Sequence, residues 1–177
     1  MIDERSAYRI EGDLFGQMRV TDQKLAIDRL LAPVVPVDIL CIGLNYKEHA
    51  TETGATVPAN PMVFMKPSTA LNNPGDPIYI PRRSEQIDYE AELAVIIGKT
   101  GKYIPRDRAM EYVFGCTCAN DVSARDWQRN RDLGGGQFTR GKGFDGFCPL
   151  GPWIVTRDEL PDPGNLRIRT LLNGQVM

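Results

Sequence analysis

Asp88, Glu90 and Glu92 fall at i, i+2 and i+4 in the stretch 87–98, IDYEAELAVIIG. In a strand, alternation puts such carboxylates on one face, with neighbours ~6.6 Å apart. Like charges so placed repel, and the apolar run that follows argues against a face simply bathed in water. A divalent cation would relieve the repulsion, and oxygen-only ligands suit Mg2+, Mn2+ or Ca2+ better than zinc or copper. The competing reading is a solvated edge face. Asp121 ends the apolar run VFGCTCAN just ahead of a helix start. Loops at strand ends commonly carry functional side chains, although a helix-capping role accounts for this residue equally well.

His49 is the one histidine of the chain, and Glu52 follows at i+3. On a helix the two share a face. A carboxylate beside an imidazole raises its pKa and fixes its tautomer, which is the makeup of a general base. A surface histidine in an incidental ion pair is the plainer alternative. Lys142 lies between Gly141 and Gly143, small neighbours that let a ligand approach a cation able to stabilise a developing anion. A solvated loop lysine is the usual outcome for a lone residue of this kind. Gly134, Gly135 and Gly136 offer a hinge for a lid, and no GK[ST] follows to make them a phosphate loop.

These side chains must be positioned by short elements. Residues 5–20 predict a small β-unit turning at Glu11-Gly12-Asp13, and residues 21–38 a connector with a soft boundary near Val37. Residues 39–42 read as a buried strand. A two-turn helix follows, with Asn45 as N-cap, Glu48 completing a capping box and Gly54 as the stop. Further strands are expected at 62–66, 76–81, 87–98, 113–120, 149–155 and 166–172, and a short helix at 106–112. The β-branched end of 87–98 suits burial on both faces, and Ser123 would cap a helix with Asp126 three residues on. Residues 129–143 look too glycine-rich for regular structure. Trp127 and Trp153 read as packing residues. The class is β-rich α+β, with helices too short for a doubly wound sheet.

Composition bounds the function. Of 177 residues, 42% are hydrophobic and 25% charged, close to the globular average, which excludes fibres and disordered tails. A net charge of −2 offers no basic surplus for nucleic acid or anionic lipid. No apolar run approaches the ~18 residues of a membrane span, and the charged start MIDERSAYRI is unlike a signal peptide, so a cytoplasmic protein is expected. Cys41, Cys116, Cys118 and Cys148 sit among apolar residues, consistent with reduced, buried thiols.

Taken together, ILCIGLNYKEHATE, FMKPSTAL, IDYEAELAVIIGKTGKYI, CANDVSARDWQ and GKGFDGFCPLGPWIV resemble the fumarylacetoacetate hydrolase family from about Ile39 to the last residue. The nearest branch is that of acylpyruvate hydrolases, diene-dioate isomerases and oxaloacetate decarboxylases. The resemblance implies a mixed β-roll with short helices, a small N-terminal unit over 1–37 and a catalytic core over 38–177. It implies Mg2+ or Mn2+ held by Glu90, Glu92 and Asp121, a catalytic dyad of His49 and Glu52, an active-site Lys142, and Arg125 and Gln128 near the substrate. Asp88 matches the pattern but leaves the metal set. A homodimer and a small 2-oxo acid substrate are implied as well. The expected reaction is metal-dependent hydrolysis of a C–C bond in an acylpyruvate-type acid through an enolate. The alternatives are oxaloacetate decarboxylation, 2-hydroxyhepta-2,4-diene-1,7-dioate isomerisation or tautomerisation, and a non-catalytic metal-binding fragment.

The pattern is interrupted at its end. Asn173-Gly174 is a strong hairpin signal after the predicted strand 166–172, and a return strand of ~5 residues should follow. Only Gln175, Val176 and Met177 remain. The closing strands of the family's roll are therefore expected to be absent, as in a fragment or a natural truncation.

Overall fold

The computed structural model describes residues 5–52, 54–133 and 135–177. The chain opens with an antiparallel hairpin of β1 (Ser6–Gly12) and β2 (Met18–Ala26). Gly12 enters the turn at φ +100, where a side chain would run into the Gln17 carbonyl 2.2 Å away. The strand β2 continues through Ala26, so the connector begins later than the sequence suggests. Residues 27–38 carry no regular structure. They are tied down by an Arg29–Asp76 ion pair and by the Ala32 N–H, which donates to Asn73 Oδ1 at 2.9 Å.

Next come β3 (Ile39–Gly43), α1 (Lys47–Glu52) and β4 (Met62–Lys66). The two strands pair antiparallel from Ile39↔Lys66 to Gly43↔Met62, with α1 carried in the loop between them. The first helical N–H, from Ala50, bonds to the Tyr46 carbonyl at 3.1 Å, so the cap lies one residue beyond the expected Asn45. Gly54 does stop the helix, at φ +65. The strand expected at 76–81 does not form. Pro77 and Pro81 lack the N–H a ladder needs, and the nearby strand is the two-residue β5 (Leu71–Asn72).

The stretch 87–98 is interrupted. It forms β6 (Ile87–Asp88) and β7 (Ala91–Ile97), with Tyr89 and Glu90 in the gap. The seven-residue 3-10 turn Arg106–Tyr112 leads into β8 (Val113–Asn120), which pairs with β7 from Ala91↔Asn120 onward. Two residues later comes β9 (Ser123–Ala124), paired with β6. Ser123 thus belongs to a strand and does not cap α2 (Arg125–Arg129), whose N-cap is Ala124. Residues 131–142 are more regular than expected, with a 3-10 turn at Arg131–Leu133 and α3 (Phe138–Lys142). The Gly134 part of the proposed hinge lies outside the described residues. Downstream, β10 (Cys148–Pro149) runs parallel to β5 and β11 (Val155–Thr156) adds to β8, giving a sheet ordered β11-β8-β7. Of the strand expected at 166–172, only β12 (Leu171–Leu172) forms, paired with β13 (Gln175–Val176). Asn173 and Gly174, at φ +51 and +81, make the expected hairpin turn.

Val122, Ala124, Trp127 and Phe147 form the tightest core, with Ile87, Leu133 and Phe144 packed against it. Covering a side chain as large as Phe147 contributes about 2–3 kcal/mol. Trp153, in contrast, is 44% exposed. Val95 and Ile97 of β7 are exposed too, so that end is covered on one face only. Cys116 and Cys148 are buried, but Cys118 is exposed although it shares a face of β8 with Cys116, so the cover over that face ends between them. The fold is β-rich α+β with short helices, as the sequence indicates.

Candidate active site

The gap between β6 and β7 lies opposite the gap between β8 and β9. The Asp121 N–H donates to the Glu90 carbonyl at 2.9 Å, and the Glu90 N–H donates to Asn120 Oδ1 at 3.0 Å. Ser123 Oγ donates to the Asp121 carbonyl at 2.9 Å. Both carboxylates therefore leave the ladders at one level and face one cavity of about 870 Å3. Directly behind Asp121 sits the tight core around Val122.

Lys142 is delivered by α3, not by a flexible loop. Thr139 Oγ1 donates to the Met65 carbonyl at 2.7 Å, fastening α3 to β4. Gly141 lets the helix approach α2, where a side chain would meet Gln128 N at 2.8 Å. The Lys142 ammonium, buried, reaches Glu90 Oε2 and Asp121 Oδ2, each at 2.6 Å. A second buried lysine, Lys66 at the end of β4, takes the other oxygen of Asp121 at 2.5 Å and donates to the Val122 carbonyl at 3.2 Å. Arg125 bonds Glu90 Oε1 at 2.5 Å, Asp88 Oδ2 at 2.9 Å and Gln128 Oε1 at 2.9 Å. Burial of these charges is tolerable because each is paired.

Glu92 differs. Among the described residues it joins no ion pair, and the Tyr46 hydroxyl is its polar neighbour. Burial first, then the charges of Glu90 and Asp121, push its carboxyl up to about 7, against the lowering effect of the Tyr46 hydrogen bond. The Tyr46 phenol is pushed up to about 12, chiefly by burial. Burial likewise pushes the nearby Cys41 thiol up to about 12, so it stays protonated and is no nucleophile at neutral pH.

His49 and Glu52 lie on the wall of the same cavity. His49 Nδ1 is 3.9 Å from Glu52 Oε2, an ion-pair separation longer than a hydrogen bond, with side chains 54% and 81% exposed. All the expected site residues, His49, Glu52, Glu90, Glu92, Asp121, Arg125, Gln128 and Lys142, line this one cavity.

As for a metal, the donor chemistry fits a hard divalent cation. Glu90, Glu92 and Asp121 are oxygen donors on one cavity, and Glu92 joins no ion pair among the described residues. They are not drawn into a cage: no group of three or more His, Cys, Asp or Glu among the described residues is set to hold a metal ion. Lys142 and Arg125 hold the carboxylates of Glu90 and Asp121.

Lys66 and Tyr46 are the participants that sequence reasoning missed. The available signals were a charged residue closing the apolar run Met62–Lys66, and a tyrosine inside the capping signature before α1.

The family model described as fumarylacetoacetate (FAA) hydrolase C-terminal matches residues 38–177. The mitochondrial oxaloacetate tautomerase fahd2 of Xenopus laevis is 50% identical over 149 residues, covering 84% of this chain and 46% of that protein. The structure of 2-hydroxyhepta-2,4-diene-1,7-dioate isomerase from Mycobacterium marinum superposes with TM-score 0.82 at 40% identity, covering 97% of this chain and 62% of that one. That of 5-carboxymethyl-2-hydroxymuconate delta-isomerase from Mycobacterium smegmatis gives TM-score 0.83 at 41% identity, covering 97% and 64%. The chain thus spans about half the length of the tautomerase and under two thirds of either isomerase. Among the described residues no helix is long and apolar enough to cross a membrane.

Proposed function

Because this chain belongs to the fumarylacetoacetate hydrolase family, we propose that it carries the site of an enzyme that moves a proton on a small 2-oxo dicarboxylic acid of the oxaloacetate or diene-dioate type. C–C hydrolysis of an acylpyruvate, the expectation from sequence, gives way to its isomerase and tautomerase alternative, since the named relatives are a tautomerase and two isomerases. The observation that carries the reading is the buried Lys142 ammonium in the same cavity as the His49–Glu52 pair: an anion stabiliser and a proton acceptor with substrate-sized space between them.

In this mechanism Arg125 and Gln128 orient a substrate carboxylate. The His49 imidazole, held by Glu52, takes the proton from the carbon next to the keto group. That C–H bond breaks, and its electron pair passes to the keto oxygen, which becomes an enolate oxygen beside the Lys142 ammonium. Return of a proton to that oxygen gives the enol, and the reverse path restores the ketone. Mg2+ or Mn2+ at Glu90, Glu92 and Asp121 would supply Lewis-acid polarisation of the keto oxygen. Lys66 fixes one oxygen of Asp121 at 2.5 Å, which sets the carboxylate in place on the cavity wall.

The test is proton exchange at C3 of oxaloacetate in D2O with Mg2+ present, followed by NMR, beside His49→Ala and an acylpyruvate control. Exchange by the wild type above the His49→Ala rate, without release of pyruvate, is the expected result. Cleavage of the acylpyruvate would restore the hydrolase reading. Equal rates in wild type and variant on every substrate would leave a binding domain without catalysis.

A further inference from the structure

Tyr46 joins the two walls of the cavity. Its backbone carbonyl accepts the first helical N–H of α1, from Ala50, at 3.1 Å. Its hydroxyl reaches across to β7, where it accepts the Leu93 N–H at 3.1 Å beside the Glu92 carboxylate. Because β7 is the outer strand of the β11-β8-β7 sheet, that edge amide lies where no neighbouring strand offers an acceptor.

The helix carrying His49 and Glu52 needs such a fastening. It is six residues long, too short to be stable by itself, and Ala50 is its one buried residue. Ahead of it Leu44 adopts φ +52, a left-handed conformation that a branched side chain disfavours. Backbone of that kind persists only where the surroundings impose it. The hydroxyl of Tyr46 is a polar tie between this segment and the carboxylate strand.

We infer that Tyr46 is a positioning residue, whose hydroxyl acts as a strut that sets the His49–Glu52 helix at a fixed place relative to Glu92 and the rest of the site. The substrate then meets a base already aligned, which is where misplacement by a fraction of an ångström is most costly. The catalytic consequence rests on the proton-transfer reading above, whereas the strut itself does not.

Tyr46→Phe removes the hydroxyl and keeps the ring. His49 is the one histidine of the chain, so its imidazole Hε1 gives a single NMR signal that reports the placement of α1. In Tyr46→Phe this signal is expected to move and sharpen, and the Leu93 amide to exchange about tenfold faster or more, with β8 amides unchanged. On oxaloacetate, kcat should drop by about tenfold with KM within about twofold. Tyr46→Leu, which also removes the ring, should show the same signature. Unchanged His49 and Leu93 signals in Tyr46→Phe would overturn the strut, as would loss confined to Tyr46→Leu, which would mean ring packing alone. A wild type without His49-dependent exchange would defeat the proposed reaction, and the two NMR signals would still decide the role of Tyr46.

Discussion

Lys66 and Asp121 meet at 2.5 Å beneath the cavity, and the lysine side chain has no exposed surface. Asp121 is thereby bracketed by two ammonium groups, one on each oxygen. A buried pair of this kind matters most when it is broken, because the orphaned charge has nowhere to go. Lys66→Met should destabilise the fold by about 3 kcal/mol, the low end for a broken buried pair, since Asp121 keeps Lys142. Urea unfolding checks this, and a loss under about 1 kcal/mol would show that the pair carries little of the local stability.

The exposed dyad should behave in the opposite way. His49 and Glu52 are half or more exposed, so their removal costs little stability. His49→Ala should lower kcat for proton transfer by about 10²- to 10⁴-fold, the span of a general base, and Glu52→Gln should lower it less, because a positioned imidazole remains. Thermal melts within a few degrees of wild type, beside these rate losses, would mark a catalytic pair; unchanged rates would return it to an incidental ion pair.

Glu92 should leave a signature in the pH dependence of stability. Its carboxyl titrates near 7 in the folded chain, against 4.5 as the ordinary value. Between these values the folded state holds a proton that the unfolded state has lost, so stability falls as pH rises through this window. Glu92→Gln should flatten that part of the curve, read as melting temperature against pH. Saturating Mg2+ should flatten it in the wild type as well, because a bound cation favours the ionised carboxylate. A wild-type curve already flat between 4.5 and 7 would show that Glu92 is not desolvated.

The sequence made some of this legible and hid the rest for physical reasons. The strand over 113–120 appears with the bounds its apolar run suggests, because alternation and flanking polar residues are local signals. The spacing of Glu90 and Glu92, and a motif order that includes Asp121, group three residues that do line one cavity. Lys142 reads as a loop residue, yet it lies at the buried end of a helix, because the contact that allows it, Gly141 against Gln128, involves a residue from another element. Lys66 escaped notice for a similar reason: its partner Asp121 lies 55 positions away, and a lysine closing a strand reads alike whether buried or solvated. The break at Tyr89 and Glu90 was hidden because an alternating run reads as one continuous strand.

The outer face of the β3–β4 ribbon carries the last prediction. Register pairs Leu40 with Met65 and Ile42 with Val63, so these side chains share one face. They are 64%, 42%, 41% and 58% exposed, a contiguous apolar surface of the kind that marks an interaction site. The homodimer expected from the family resemblance would cover such a face, and each side chain fully covered contributes about 1.5–3 kcal/mol. Sedimentation at micromolar concentration should give twice the mass of the chain, and Leu40→Glu with Val63→Glu should return the monomer while the β7–β8 sheet keeps its protection from hydrogen exchange. A wild type that sediments as a monomer at all concentrations would remove the dimer and leave this ribbon to another partner.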